Sequence, residues 1–282
     1  MWQKINNFVQ KHTVLSVFLL LVLLLLLTTA GGLSIIAGDI VEETVGMPIF
    51  IVYQLALSII CIFLMRKLHV LNENDFKFIN IGNGFLLSWV MLLLAAVQFV
   101  SGLSSPPEGG FLKPTPFYLI TVILYPFIVS GLFEEVLFRG LVLKILLKKT
   151  GGTKNGIIGA FVISATLFGI VHSVNLFWEA PLTVFSSVVF ATGGGFFLGA
   201  IYLRTKTLIA PILLHGLFNL SSMIWWAFTP NGPTSTSETT LADFLVTFLI
   251  AVLPLVIASF VLLRKVDPEG IAENGNGVYL YN

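Results

Sequence analysis

Long apolar runs alternate with short polar or glycine- and proline-containing breaks along the whole chain. Each run approaches or exceeds the roughly 20 apolar residues that an α-helix needs to cross a bilayer. The pattern therefore predicts an all-α, polytopic transmembrane bundle of about eight spans. The predicted spans lie at residues 14–36, 48–65, 84–103, 116–147, 156–176, 182–203, 207–228 and 241–263.

The fourth run, 116–147, is long enough to allow two interpretations. A helix of that length would extend about 48 Å, whereas the hydrocarbon core of a bilayer is about 30 Å thick. The helix could tilt and cross once, or it could break near Pro126 or at Ser130 and Gly131 and cross twice. A second crossing would invert the orientation of every span that follows.

The distribution of lysine and arginine favours a single crossing. These residues cluster at alternate ends of the runs, and the opposite loops are acidic, with Lys113 as the exception. The positive-inside rule then predicts that both termini are cytoplasmic. The first run could instead be a signal peptide, but it exceeds the roughly 7–15 apolar residues of such segments, so we expect an uncleaved helix. The clusters are Lys4 and Lys11, Arg66 and Lys67, Lys144, Lys148 and Lys149, Arg204 and Lys206, and Arg264 and Lys265.

Composition excludes several other classes of protein. Of the 282 residues, 56% are hydrophobic and only 10% are charged, and the mean hydropathy is +0.97. A soluble domain carries about 25% charged residues, so a soluble globular protein is excluded and the lipid bilayer is the expected environment. The net charge of +1 gives no basic surface for nucleic acid. The single cysteine, Cys61, excludes an internal disulfide.

Three charged residues interrupt the fourth apolar run in the sequence GLFEEVLFRG, residues 131–140. A charge at the centre of a span costs about 2.5–3.5 kcal/mol, so each charge requires a partner or a function. Glu135 and Arg139 are spaced i, i+4 and are predicted to form a structural ion pair. Glu134 lies about 100° around the helix and is predicted to be the free, functional carboxylate. The alternative is that both glutamates lie at a helix end and reach water.

Two histidines lie inside apolar runs at a depth that can be compared with that of Glu134. Glu134 precedes Thr153, in the turn between the fourth and fifth runs, by 19 residues, and His172 follows Thr153 by 19 residues. An antiparallel hairpin would therefore place these two side chains at the same depth. On the seventh run, His215 and Asn219 share a helix face, with His215 about 6 Å nearer the cytoplasm. The other two histidines, His12 and His69, lie in polar flanks and are expected at the surface.

These residues fit two kinds of hydrolytic site. In the first, Glu134 with His172 would act as general base toward water, and His215 and Asn219 would donate hydrogen bonds to an oxyanion. In the second, Glu134, His172 and His215 would supply the three protein ligands of a catalytic zinc site. Asp243, at the start of the last run, is the only aspartate within an apolar run, and no GxSxG sequence occurs, which argues against a serine triad.

In these motifs the sequence resembles the CAAX protease and bacteriocin-processing family of intramembrane endopeptidases (CPBP, also called Abi). The family pattern is EExxxR, FxxxH and HxxxN or HxxxD on successive membrane helices, and the resemblance covers residues 115–228. It suggests three regions: N-terminal helices without a motif (1–110), a catalytic core (111–230), and a last helix with a short polar tail (231–282). The matching residues are Glu134, Glu135, Arg139, Phe168, His172, His215 and Asn219.

The resemblance implies hydrolysis of a membrane-associated peptide or, for a CAAX-like member, of a prenylated protein. It implies that Glu134 and His172 activate water, that Glu135 braces Arg139, and that His215 and Asn219 support the oxyanion. Phe168 would be a packing residue of the motif. Both a zinc-dependent and a metal-free, glutamate-dependent mechanism are compatible with the family. The short loops suggest a bacterial plasma membrane protein.

Two functions without proteolysis remain as alternatives. A membrane scaffold or bacteriocin self-immunity protein that binds a peptide would keep the helices and the Glu135–Arg139 pair but would not need Glu134 as a base. An ion-coupled transporter would also use intramembrane Glu and His, but it predicts an inverted repeat with broken helices in both halves. No such repeat is visible, and the polar residues concentrate in the second half of the chain.

Overall fold

The computed structural model describes residues 1–36, 43–107, 110–150, 153–229, 238–266, 271–274 and 277–280. These residues are helical except for loops and a short antiparallel hairpin, formed by β1 (Ile271–Asn274) and β2 (Gly277–Leu280). The helices are α1 (Trp2–Lys11), α2 (Thr13–Ile36), α3 (Glu43–Lys67), α4 (Ile81–Leu87), α5 (Trp89–Leu103), α6 (Pro116–Thr150), α7 (Lys154–Phe177), α8 (Pro181–Thr205), α9 (Ile209–Phe228) and α10 (Leu241–Leu263).

The predicted all-α membrane bundle is confirmed. Within the described residues, six helices are long and apolar enough to cross a membrane, and two bent helix pairs raise the number to as many as eight. The bent pairs are α1 with the first half of α2, at 113°, and α4 with α5, at 70°. The protein is therefore an integral membrane protein with spans close to those that the apolar runs predict.

Helix α1 is an element that the apolar pattern alone did not predict. Its apolar and polar residues lie on opposite faces, and it turns sharply away from α2. Trp2 packs edge-on against Phe63 of α3, with 5.7 Å between ring centroids, and the ammonium of Lys67 lies 5.8 Å from the Trp2 ring. An amphipathic helix at a sharp angle to a span is typical of a segment that lies in the membrane interface.

Helix α6 runs unbroken through the whole fourth apolar run. Pro126 and the Ser130-Gly131 pair do not end it; instead, wide π-helical turns occupy Phe127–Glu134 and Val136–Leu143. Gly131 allows α9 to approach closely, since a Cβ there would lie 2.7 Å from the carbonyl oxygen of Ile212. π-helical turns often occur at functional sites, and here they contain Glu134 and Arg139.

We expect reporter proteins fused in the 104–114 loop and after Lys149 to report opposite sides of the membrane. A single crossing by α6 separates these two points, and the orientation predicted from the lysine and arginine distribution places the second one inside. A pair of reporters such as alkaline phosphatase and green fluorescent protein at each position would measure this. The same side at both positions would contradict the single crossing.

One lysine used in the charge pattern is not a surface charge. Lys144 is fully buried and donates to Asp75 Oδ2 and, at 2.8 Å, to the carbonyl oxygen of Val70. Asp75 also accepts from the Tyr202 hydroxyl at 3.2 Å and from the backbone N–H of Asn72 at 2.7 Å. Lys144 therefore ties the loop between α3 and α4 to α6 and α8, and the positive flank of α6 consists of the lysines that follow it.

Candidate active site

A buried ion pair lies at the centre of the bundle, where the i, i+4 spacing predicts it. Arg139 Nη1 donates to Glu135 Oε1 at 2.7 Å, and Arg139 Nη2 donates to the carbonyl oxygen of Gly195 at 3.0 Å. The guanidinium also lies 4.7 Å from the centroid of the Phe168 ring, a cation–π geometry. Phe168, Gly195 and Glu135 thus fix Arg139 between α6, α7 and α8.

The glycines 193–195 explain how α8 comes so close to this pair. A Cβ on Gly195 would lie 3.0 Å from the Phe168 ring, and a Cβ on Gly193 would lie 3.1 Å from Val252 of α10. These two glycines permit the close helix packing expected of small residues in membranes. Gly194 instead lines a cavity, so the three glycines do not share one role.

His215 connects the two adjacent glutamates. Its Nδ1 lies 2.8 Å from Glu135 Oε1, and its Nε2 lies 3.8 Å from Glu134 Oε2. The sequence interpretation gave Glu135 the single role of pairing with Arg139, whereas in the structure Glu135 also orients His215. Because a carboxylate oxygen only accepts, we assign the Nδ1 proton of His215 to this contact.

His172 is oriented by its own helix. Its Nδ1 lies 2.9 Å from the carbonyl oxygen of Phe168, so Nδ1 carries the proton and Nε2 of the neutral ring remains an acceptor. The helix tightens from α to 3₁₀ at Val171, immediately before this side chain. The ring edge also packs on Phe168, with 5.3 Å between centroids.

Two cavities meet at Glu134 and His172, which line both of them. We name the first, of about 270 Å³, the amide cavity; its polar lining comprises Ser130, Glu134, His172, Ser187, His215 and Asn219. We name the second, of about 170 Å³, the leucine cavity; its lining includes Leu21, Leu24, Glu134, Leu137, His172 and Asn175. The Glu134 side chain is 24% exposed, so its carboxylate is accessible from these spaces.

Three polar residues of the cavities were not predicted from the sequence. Ser130 precedes Glu134 by four positions and Asn175 follows His172 by three, so helical spacing from the motif residues would have found both. Ser187 lies on α8, which carries no motif residue, so helical spacing from a motif could not have identified it. The structure brings together Glu134, His172, His215 and Asn219 around the amide cavity.

The possible zinc ligands Glu134, His172 and His215 line one cavity but do not form a compact cluster. Among the residues that the structure describes, no group of three His, Cys, Asp or Glu side chains is placed to hold a metal ion. Nδ1 of His215 and Nδ1 of His172 each face a protein acceptor, which leaves Nε2 of each ring open, and His215 Nε2 lies 3.8 Å from Glu134 Oε2. Metal-bound histidines hold their second ring nitrogen in the same way, so these contacts are compatible with both kinds of hydrolytic site.

Comparison with known proteins agrees with the motif resemblance. Residues 116–221 match the family model described as type II CAAX prenyl endopeptidase Rce1-like. A search of curated proteins and a search of solved structures gave no match. The matched region runs from the start of α6 into α9, so it contains every motif residue and lies within the predicted core, 111–230. Through these four helices the chain is similar to the Rce1-like type II CAAX prenyl endopeptidases, a family of membrane proteases.

Proposed function

We propose that the protein is an intramembrane endopeptidase that hydrolyses a peptide bond in a membrane-associated protein or peptide. The observation that carries this proposal is that Glu134 and His172 both line the two cavities. A peptide that extends from one cavity into the other would present a backbone carbonyl to a carboxylate and an imidazole. That pair of groups is suited to activate water as a general base.

In the proposed reaction, a water molecule bonded to Glu134 and to Nε2 of His172 attacks the scissile carbonyl carbon. Glu134 takes one proton from the water as the C–O bond forms, and the carbonyl oxygen becomes an oxyanion. Glu134 then gives this proton to the amide nitrogen, and the C–N bond breaks. The direct products are a peptide with a new amine and a peptide with a new carboxylic acid, which keeps the second proton of the water and then releases it to become a carboxylate.

The oxyanion is proposed to be stabilised from α9. The side-chain amide of Asn219 and the ring of His215 both line the amide cavity beside Glu134. Nε2 of His215 can donate to the oxyanion only in the imidazolium form, because Nδ1 already donates to Glu135. Removing one preorganised oxyanion donor typically lowers kcat by about 10²–10³-fold, which sets the scale of this contribution.

The substrate class is proposed from the family. Its members are described as prenyl endopeptidases, so a prenylated protein or peptide is one candidate, and an unmodified membrane peptide is the other. The short loops support a bacterial plasma membrane location. A peptide-binding scaffold without catalysis is the competing function, and it requires none of the chemistry assigned to Glu134.

We expect purified, chelator-washed protein in proteoliposomes to cleave a membrane peptide while containing far less than one zinc per chain. The measurement is mass spectrometry of the new peptide ends together with elemental analysis. Suitable substrates are a prenylated CAAX peptide and an unprenylated hydrophobic peptide. The reason for the expectation is that Glu134 is proposed to act as the general base toward water instead of as a metal ligand.

Two results would change this proposal in different ways. Stoichiometric zinc that is lost together with activity, and restored on readdition, would replace the metal-free mechanism by a zinc-dependent one. A stable, folded protein that binds these peptides but cleaves none of them would favour the scaffold instead.

A further inference from the structure

The lining of the leucine cavity includes residues that lie outside 116–221, the region matched by the family model. Leu21 and Leu24 lie on α2, in the N-terminal region, and are 7% and 2% exposed. They line the same cavity as Glu134 and His172, although the family match begins only at residue 116. The N-terminal region is therefore part of the candidate active site as well as part of the bundle.

The size and chemistry of this cavity limit what it can hold. Its volume is about 170 Å³, and its lining is apolar apart from Glu134, His172 and Asn175. For comparison, a cavity of about 150 Å³ lined by leucine, isoleucine and phenylalanine in another protein binds one benzene molecule. The leucine cavity is thus large enough for one leucine- or phenylalanine-sized side chain.

We propose that the leucine cavity is a specificity pocket that binds one large apolar side chain of the substrate, next to the scissile bond. Leu21 and Leu24 of α2 set the size of that side chain. The inference rests on the proposed peptidase function, since it places the pocket beside Glu134. A membrane lipid is the other candidate occupant, but an acyl chain brings no peptide carbonyl to Glu134 and His172, whereas a substrate side chain in the cavity places the neighbouring backbone beside them.

Two substitutions in α2 should move the substrate preference in opposite directions. Leu24→Ala enlarges the pocket and should raise the ratio of kcat/KM for a phenylalanine-containing peptide over its alanine counterpart. Leu21→Phe narrows the pocket and should lower the same ratio. Each shift should be about tenfold or more, since one methylene in an apolar pocket typically changes selectivity by about 10–200-fold. The peptides should differ at one position only, scanned on both sides of the cleaved bond.

Leu23 provides the matched control on the same helix. It is 55% exposed and does not line the cavity, so Leu23→Ala and Leu23→Phe should leave the ratio unchanged. Cleavage that persists with an unchanged ratio in both Leu21→Phe and Leu24→Ala would overturn the pocket and leave the peptidase function standing.

A second measurement does not depend on cleavage. A peptide that carries a photoreactive diazirine analogue of leucine at the selected position is irradiated with the Glu134→Gln protein, and the cross-link is mapped by mass spectrometry. Cross-links within residues 17–24 or 133–138 support the pocket, and cross-links confined to other segments overturn it. A wild-type protein that cleaves no peptide would contradict the proposed function, while the mapped cross-link would still decide the pocket.

Discussion

Glu134→Gln is expected to lower peptide hydrolysis by at least about 10²–10⁴-fold, the contribution of a general base. Glutamine has nearly the same shape but cannot take a proton from water. Glu134 is partly exposed to the cavities, and its nearest ionic contact, with His215, is 3.8 Å long, so its contribution to folding is small. The variant should therefore match the wild type in expression and in thermal unfolding in detergent.

Glu73→Gln is the matched control for this substitution. It makes the same chemical change at a side chain that is 81% exposed and pairs only loosely with Lys77 at 3.7 Å. Its activity and stability should equal those of the wild type. Full peptidase activity in Glu134→Gln would falsify the general-base role and would move the site toward peptide binding without catalysis.

The positions of the helices could be predicted from the sequence because bilayer thickness fixes the length of an apolar span. The same regularity predicts one depth for Glu134 and His172, counted from the α6–α7 turn, and the two residues line the same cavities. Whether α6 breaks could not be settled in this way, since Pro126 and Gly131 are both helix breakers by local preference. In the structure α6 packs closely against α9 at Gly131. This is a contact between distant parts of the chain, and it cannot be predicted from the residues around Gly131.

Other features of the site depend on contacts between residues far apart in the chain. In the sequence, Lys144 looks like any lysine that follows a membrane span. It is buried because the loop between α3 and α4 brings Asp75 to it, and this contact is visible only in the folded structure. In the leucine-rich α2, nothing in the local sequence separates Leu21 and Leu24, which line the cavity, from the lipid-exposed Leu23. A uniform apolar run predicts a span but does not predict which of its faces is turned toward the protein.

Glu135→Ala is expected to destabilise the protein by about 3–5 kcal/mol, the cost of removing one partner of a buried ion pair. Glu135 is fully buried and accepts from both Arg139 at 2.7 Å and His215 at 2.8 Å. Without it, the Arg139 guanidinium keeps only the Gly195 carbonyl and the Phe168 ring. Thermal or denaturant unfolding in detergent should show the loss. Activity should fall as well, because His215 loses the contact that orients its ring.

Two further variants separate these effects. Glu73→Ala removes the exposed ion pair with Lys77 and should lower the free energy of unfolding by less than about 1 kcal/mol. It is the control for losing a carboxylate that is not buried. The double variant Glu135→Arg with Arg139→Glu restores an ion pair at the same spacing but leaves His215 without its acceptor. It should therefore recover part of the lost stability and none of the lost activity. If Glu135→Ala were inactive yet as stable as the wild type, Glu135 would act in catalysis through His215, and its pair with Arg139 would not brace the fold.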